Sequence, residues 1–328
     1  MAPLLVVTEI RAARPTGLAI ELLGLARSLA GGAVGPAREV AAVAFGPCAI
    51  ESAPELIAHG ADRVFVVVDA DLVEFDSDRW CAALTSITRE ILPELVLLGH
   101  TPCGSDVAPR LAFRVGGAVA SGCTEISRRG GTLLFTRTCY GDNARESLRL
   151  NASPAVATLR SGSCDSAVVD GSRTGTVVAR AVPGPGRSRV VARQRDSGEA
   201  VRLEDARVVV GGGRGMNGAE GFLALQTLAS ALGGAVGASR VACDLGWCPK
   251  SWQIGLTGKS VAPELYIAAG ISGASHHMAG CAGAKTIVAI NRDAEAPIFR
   301  QARYGIVGDC IEIVLALAAV VSSEPAGE

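Results

Sequence analysis

The chain has 328 residues, enough for two domains that each bury a core; 49% are hydrophobic, only 4% are aromatic and 40 are glycine, so that core must be aliphatic. The formal net charge of -1, with no basic stripe interleaved with aromatics, speaks against nucleic acid or an anionic membrane as a partner. The ten cysteines are scattered and none forms a CxxC pair, which reads as reduced, buried thiols and not as a zinc or iron–sulfur site.

In chain order, LLVVTE (4–9) reads as a first strand that begins without a signal peptide, and no apolar run is long enough for stable membrane insertion. A cytoplasmic protein is the expectation. A helix follows over TGLAIELLGLARSLA (16–30), then the strand EVAAVAFG (39–46) and a helix over 53–59. RVFVVVD (63–69) leads to a helix over 78–91, and ELVLLGH (94–100) to one through VAPRLAFRV (107–115). Continuous apolar strands alternating with helices predict a parallel sheet covered on both faces. From 132 to 160 the pattern changes. TLLFTRTCY, ESLRLN and PAVATLR read as an antiparallel extension, with turns at GDN (141–143) and ASP (152–154).

A polar, Gly/Pro/Arg-rich stretch (161–204) contains VPGPGRSR, RQRDSGEA and one strand at GTVVARA (175–181), and it reads as the domain boundary. The expected domains are therefore residues 1–204, an N-terminal α/β domain with its linker, and residues 205–328. The second α/β series starts with the strand RVVVGGG (207–213) and the helix AEGFLALQTLASALGG (219–234). GAVGAS, ELYIAAG, KTIVAIN and YGIVGD supply further strands, CIEIVLALAAVV (310–321) is the last helix, and SSEPAGE (322–328) is expected to be disordered.

Three motifs bear on chemistry. GRGMNG (213–218) fits the dinucleotide fingerprint and lies between a strand and a helix, where backbone N–H groups would face a phosphate. The next strand ends in Ser239-Arg240 instead of an acid, so an NADP-dependent oxidoreductase is one reading, and a tight glycine turn without a ligand is another. GLTGKS (255–260) imitates a P-loop, but Gln253 stands where the first glycine is required and a proline-containing segment follows where a helix is needed. The pair His276-His277 follows a strand and a glycine turn, with a helix expected to open near Ser272. Neighbours on a helix point about 100° apart, and no acid or cysteine lies at ligand spacing, so a metal is not expected. No G-x-S-x-G elbow is present for a hydrolase. Loops at the carboxyl ends of parallel strands converge on one crevice. That crevice would gather Arg214, Ser239, Arg240, Thr257, the GISGASHH turn, Asn291 and Asp309. It would be rich in donors, with no clear base or nucleophile: a site for a large anionic cofactor.

GASRVACDLGW (237–247), QIGLTGKSVAPELYIAAGISGASHHMAG (253–280) and KTIVAINRDAEAPIFRQARYGIVGD (285–309) together closely resemble the electron-transfer flavoprotein alpha subunit. The resemblance is dense over 207–321 and thinner in the first half, where SDVAPRLA and PAVATLR carry it. It implies a flavodoxin-like C-terminal FAD-binding domain, an N-terminal α/β domain, and a heterodimer with a beta subunit. It implies an electron carrier, not an enzyme with its own substrate. Flavin dehydrogenases such as the acyl-CoA dehydrogenases of fatty acid β-oxidation would be donors, and a quinone oxidoreductase or another acceptor would take the electrons. A bifurcating variant, with AMP or a second FAD in the beta subunit, is also within the family.

By the same resemblance, Arg214 contacts the phosphate or ribose region. Ser239 and Arg240 lie at the isoalloxazine, and Thr257 lies near flavin N5. Gln253, Ile254, Gly255 and Leu256 belong to the cofactor loop with Thr257. Ser272, Gly273, Ala274, Ser275, His276 and His277 line the pyrophosphate and ring edge, with His277 near the C2 carbonyl. Asn291, Asp309 and Cys310 hold the adenosine end. The family usually has Gln where Leu256 and His276 stand here, so one polar contact is expected to be missing; His276 either replaces that donor or, as the favoured expectation, faces solvent. A guanidinium and an imidazole near N1/C2=O would favour negative charge there and raise the first reduction potential.

Overall fold

A computed structural model describes residues 1–31, 37–140, 144–182, 184, 190–191 and 202–323. The chain divides into two units, Met1–Arg193 and Gln194–Glu328.

In the first unit, β1 (Leu4–Thr8) leads through the short strands β2 (Ile10–Arg11) and β3 (Arg14–Pro15) to α1 (Gly17–Ala30). Then come β4 (Val40–Phe45), α2 (Ala49–Ala58), β5 (Arg63–Val67), α3 (Ser77–Ile91), β6 (Leu95–Gly99) and α4 (Pro102–Val115). The remaining strands are β7 (Ala118–Arg129), β8 (Thr132–Cys139), β9 (Ala144–Leu148), β10 (Ala155–Leu159) and β11 (Thr176–Arg180). They form one sheet in the order β11-β5-β4-β1-β6-β10-β7-β8-β9. Every residue of β1 is buried: Leu4 and Val6 pack into one core, Leu5 and Val7 into the other, because alternate side chains point to opposite faces and helices cover both.

The parallel sheet with an antiparallel extension is as the sequence indicates, but its membership differs. PAVATLR is not part of the extension: β10 pairs in parallel with both β6 and β7 in the sheet's interior. Its five fully buried residues are those of a strand covered on both faces. The extension consists of β7, β8 and β9, each antiparallel to the next, and β7 had no counterpart in the sequence reading. The GDN turn lies outside the described residues. Helix α4 begins at Pro102, capped by the Thr101 hydroxyl, which accepts the Gly104 N–H at 3.0 Å, so most of HTPCGSDVAP is helix. Helix α2 begins four residues earlier than the apolar spacing indicates. Strand β11 from the polar stretch extends the sheet beyond β5. RQRDSGEA and most of VPGPGRSR lie outside the described residues.

The second unit comprises β12 (Val208–Gly212), α5 (Ala219–Ala231), β13 (Ala235–Ala238), α6 (Arg240–Asp244), β14 (Leu265–Ala269), α7 (Ser275–Met278), β15 (Thr286–Asn291), β16 (Tyr304–Val307) and α8 (Cys310–Ser323). Its sheet is wholly parallel, in the order β13-β12-β14-β15-β16. Counted within the unit this is 2-1-3-4-5, the flavodoxin-like order, whose switch point lies between β12 and β14. Leu203 is buried in this unit's core with Val209, Ala235 and Ile254. The core thus starts upstream of the boundary expected at 204/205. Helix α8 takes in Ser322 and Ser323, which were expected in a disordered tail; residues 324–328 lie outside the described residues.

Candidate functional site

The predicted site residues of the second unit fall in loops at the carboxyl ends of β12, β13, β14, β15 and β16, and in the segment 253–259. That segment lies against the end of β13: Ile254 N–H donates to the Ala238 carbonyl at 2.9 Å, and isolated bridges pair Ala238 with Gln253 and Ile254 with Lys259. The Leu256 N–H donates to the His276 carbonyl at 2.7 Å, and Val261 N–H to the Gly280 carbonyl at 2.7 Å. Two segments separated by a strand are thereby stitched together by their backbones. No helix follows GLTGKS, so the P-loop imitation ends with its sequence.

Two cavities open here. One, of about 140 Å³, is lined by Arg240, Gln253, Ile254, Gly255, Leu256, Thr257, His276 and His277. The other, of about 420 Å³, is bordered by Arg240, Gln253 and Thr257 together with Asp244, Lys250, Ser251, Gly258 and Lys259. Arg240, Thr257 and His277, from three different segments, therefore meet at one place. The Gln253 amide donates to the Thr257 hydroxyl at 3.0 Å. Arg240 is largely exposed and pairs with Asp244 at 3.3 Å. Leu256 and His276 are both exposed on the rim of the smaller cavity.

His277 is buried beneath that rim. Its Nε2 lies 2.7 Å from the hydroxyl of Tyr266, a fully buried tyrosine on β14. That hydroxyl has no other hydrogen-bond partner among the described residues, so the phenol donates its proton to Nε2 and the ring carries its own proton on Nδ1. Nδ1 is buried without a hydrogen-bond partner among the described residues, and the Ile254 carbonyl is the backbone group that acts on the ring. Burial pushes His277 down to about 4, and the Ile254 carbonyl opposes this only in part. The imidazole is neutral near pH 7 and brings no charge to the cavity. Sequence reasoning missed Tyr266; the available signal was an aromatic in the middle of an otherwise aliphatic strand.

The turn after β14 carries the clearest anion-binding character. Among the described residues, the N–H groups of Ser272, Gly273, Ala274, Ser275 and His276 donate to no protein acceptor. Gly273 has φ +85°, and a Cβ there would stand 2.4 Å from the Ile298 nitrogen, so the chain can pass only without a side chain. The helix in this stretch opens at Ser275, not near Ser272, because residues 271–274 are held out as a loop by the Ile298 N–H on the Ser272 carbonyl and the Asn291 amide on the Ile271 carbonyl, both at 3.0 Å.

GRGMNG behaves differently from a dinucleotide fingerprint. Gly213 N–H donates to the Ala269 carbonyl at 2.9 Å and Gly215 N–H to the Gly270 carbonyl at 3.0 Å. Met216 and Asn217 N–H groups close on Gly213 and Arg214 within the turn. A Cβ on Gly213 would meet the Gly270 oxygen at 2.2 Å. The glycines let two loops cross at the switch point, and four of the motif's six N–H groups donate within the protein, which leaves those of Arg214 and Gly218 among the described residues. These bonds weigh against the NADP reading.

The other expected residues divide. Arg214 is exposed and Ser239 half-buried at the same end of the sheet, but neither lines the cavities. Asn291 braces the Ile271 carbonyl and accepts the Asp293 N–H. Asp309 accepts the N–H groups of Ile311 and Glu312 at the start of α8 and pairs with Arg292, which holds its carboxyl below the usual range. The Cys310 side chain is buried in the core with its sulfur against the Ile290 carbonyl, so only its backbone at the start of α8 could meet a cofactor. Among the described residues no group of His, Cys, Asp and Glu is arranged to hold a metal ion, and no helix is long and apolar enough to cross a membrane.

Residues 4–185 match the model described as electron transfer flavoprotein domain, and residues 202–282 match the model described as electron transfer flavoprotein FAD-binding domain. The chain is 38% identical over 312 residues to the electron transfer flavoprotein subunit alpha of Bacillus subtilis, covering 94% of each. It is 44% identical over 214 residues to the subunit of the same name from Paracoccus denitrificans, covering 65% of this chain and 68% of the relative. It is 36% identical over 308 residues to Protein FixB of Azorhizobium caulinodans, covering 90% and 82% respectively.

Proposed function

The chain belongs to the electron transfer flavoprotein alpha-subunit family, with the family's FAD-binding domain in its second unit, and from that premise we propose that it is the FAD-holding subunit of a heterodimeric electron carrier. Its partner is a beta subunit. Donors are flavin dehydrogenases such as the acyl-CoA dehydrogenases of fatty acid β-oxidation, the acceptor is a quinone oxidoreductase or an equivalent, and the complex works in the cytoplasm. It turns over no substrate of its own. The bifurcating form, with AMP or a second FAD in the beta subunit, is decided by that subunit.

The observation that carries this reading is one cavity mouth shared by Arg240, Thr257 and His277, next to a turn with five successive backbone N–H groups that have no protein acceptor among the described residues. These residues fit FAD. The unpaired N–H groups from Ser272 to His276 would hold the pyrophosphate, a role backbone donors perform well. Arg240, Thr257 and His277 would face the isoalloxazine. Arg214, Asn291 and Asp309 would lie toward the adenosine end, Asn291 and Asp309 chiefly by bracing the loops. Bound FAD supplies the capacity to take and release electrons singly or in pairs. The protein supplies the field around it. Arg240 contributes the positive charge. His277, neutral and held by Tyr266, contributes its ring edge and no charge. Leu256 contributes no polar group where the family usually has Gln, and His276 stands beside it on the same rim.

The test is expression with the neighbouring beta subunit followed by potentiometry. A yellow complex is expected, and Arg240→Ala should keep its flavin while the first reduction potential falls by about 60 mV or more, a tenfold change for one electron. A colourless complex, or an unchanged potential in the variant, would defeat the assignment.

A further inference from the structure

The motif CDLGWC contains two cysteines that the flavin site does not use. Helix α6 ends in a reversal: Gly246 takes a left-handed conformation with φ +73°, its N–H donates to the Cys243 carbonyl at 3.0 Å, and the Trp247 N–H donates to the Ala242 carbonyl at 3.1 Å. This pair of bonds is the Schellman closure of a helix. It turns the chain back so that Cys248 meets Cys243, their sulfurs 3.5 Å apart. Both are free thiols. Cys243 is buried against the core and Cys248 half-buried beside it. A shift of about 1.5 Å would bring the sulfurs to bonding distance, about 2.05 Å.

We propose that Cys243 and Cys248 are a redox-modification site, a dithiol that closes reversibly to a disulfide when the protein meets a peroxide. The proposal rests on sulfur geometry and does not depend on the flavin. The hydrogen bond from the Cys248 thiol pushes the Cys243 thiol down, and the same bond pushes Cys248 up, so thiolate character gathers on Cys243. The Cys243 thiolate attacks the peroxide, the O–O bond breaks, and a sulfenic acid forms with release of hydroxide, which takes a proton to become water. The Cys248 sulfur then displaces the sulfenic hydroxyl, its own proton leaving with that hydroxyl as a second water. Two thiols are oxidised by two electrons and one hydrogen peroxide is reduced to two waters. The new bond ties α6, which begins at Arg240, to the segment that continues through Lys250 and Ser251 to Gln253. These residues border the larger cavity, so oxidation would report at the cofactor site.

Both cysteines fall on one tryptic peptide, 241–250, between Arg240 and Lys250. The full chain as purified is treated with hydrogen peroxide, denatured, alkylated with iodoacetamide, and digested. The expected result is a 241–250 peptide lighter by two hydrogens and free of alkylation, which dithiothreitol returns to a doubly alkylatable form. Cys248→Ser should abolish the lighter peptide and leave a Cys243 sulfenic acid that dimedone traps. A peptide alkylated at both positions after peroxide, or one in which the sulfurs carry separate sulfinic acids with no loss of two hydrogens, would overturn the proposal. Because the decisive measurement is made on the unmodified sequence, it does not depend on the variant's folding.

Discussion

Acid should unfold the second unit through His277. The ring is buried and held neutral, with its affinity for a proton pushed down from 6.5 to about 4 by loss of solvent. In the unfolded chain the same ring takes a proton at its ordinary pH. A folded-state value below the unfolded one makes a contribution to stability that is complete above the unfolded value and is lost as pH falls toward the folded one. The window is therefore from about pH 6.5 down to about pH 4, and the whole contribution is about 3 kcal/mol at about 1.4 kcal/mol per pH unit. Between pH 7 and pH 5 the loss is about 2 kcal/mol. Urea denaturation of the wild type and His277→Gln at both pH values isolates this quantity, because His100, also pushed down by burial, is present in both proteins and cancels. The wild type should lose about 2 kcal/mol more than the variant. An NMR titration of the imidazole supplies the same answer without a variant. A ring that titrates near its ordinary value, or two proteins with the same pH dependence, would refute the account of a desolvated His277.

Tyr266→Phe removes the hydroxyl that donates to His277 Nε2 and leaves that nitrogen buried without a partner, at a cost of about 1–3 kcal/mol; denaturation midpoints measure it, and an unchanged midpoint would show that the bond is not formed in solution. Gly273→Ala forces a Cβ to 2.4 Å from the Ile298 nitrogen at φ +85°, so stability should fall by about 3 kcal/mol and retention of flavin should fall with it, as read from the absorbance ratio of the purified complex. Leu256→Gln restores an amide on the exposed rim of the smaller cavity; stability should move by less than about 0.5 kcal/mol, while flavin dissociation should slow, and a variant that releases flavin at the wild-type rate would show that Leu256 is remote from it.

Much of the fold was legible because burial on both faces writes itself into composition. VVVGG, LYIAA and TIVAIN each read as strands covered on both sides, and the loops after them were rightly taken to one end of the sheet. The antiparallel extension was legible only as to kind. β7 (AVASGCTEISRR) alternates small and polar residues without a strong apolar face, and β10, though plainly a strand, carries no mark of its direction. Thr101 as a cap was missed because Pro102 and Gly104 resemble a loop until the cap hydrogen bond is seen.

The site divides on the same line. The amino-acid order alone determined two α/β units and the residues to watch: Arg240, Thr257 and His277. Only tertiary structure decided that Gly213 and Gly215 spend their N–H groups on Ala269 and Gly270, that Tyr266 dictates which nitrogen of His277 keeps a proton, and that Cys243 and Cys248 touch. The physical reason is that periodicity records which face of an element is dry. Hydrogen-bond partners and protonation depend on groups brought together from distant parts of the chain, and their directions are set when the loops cross.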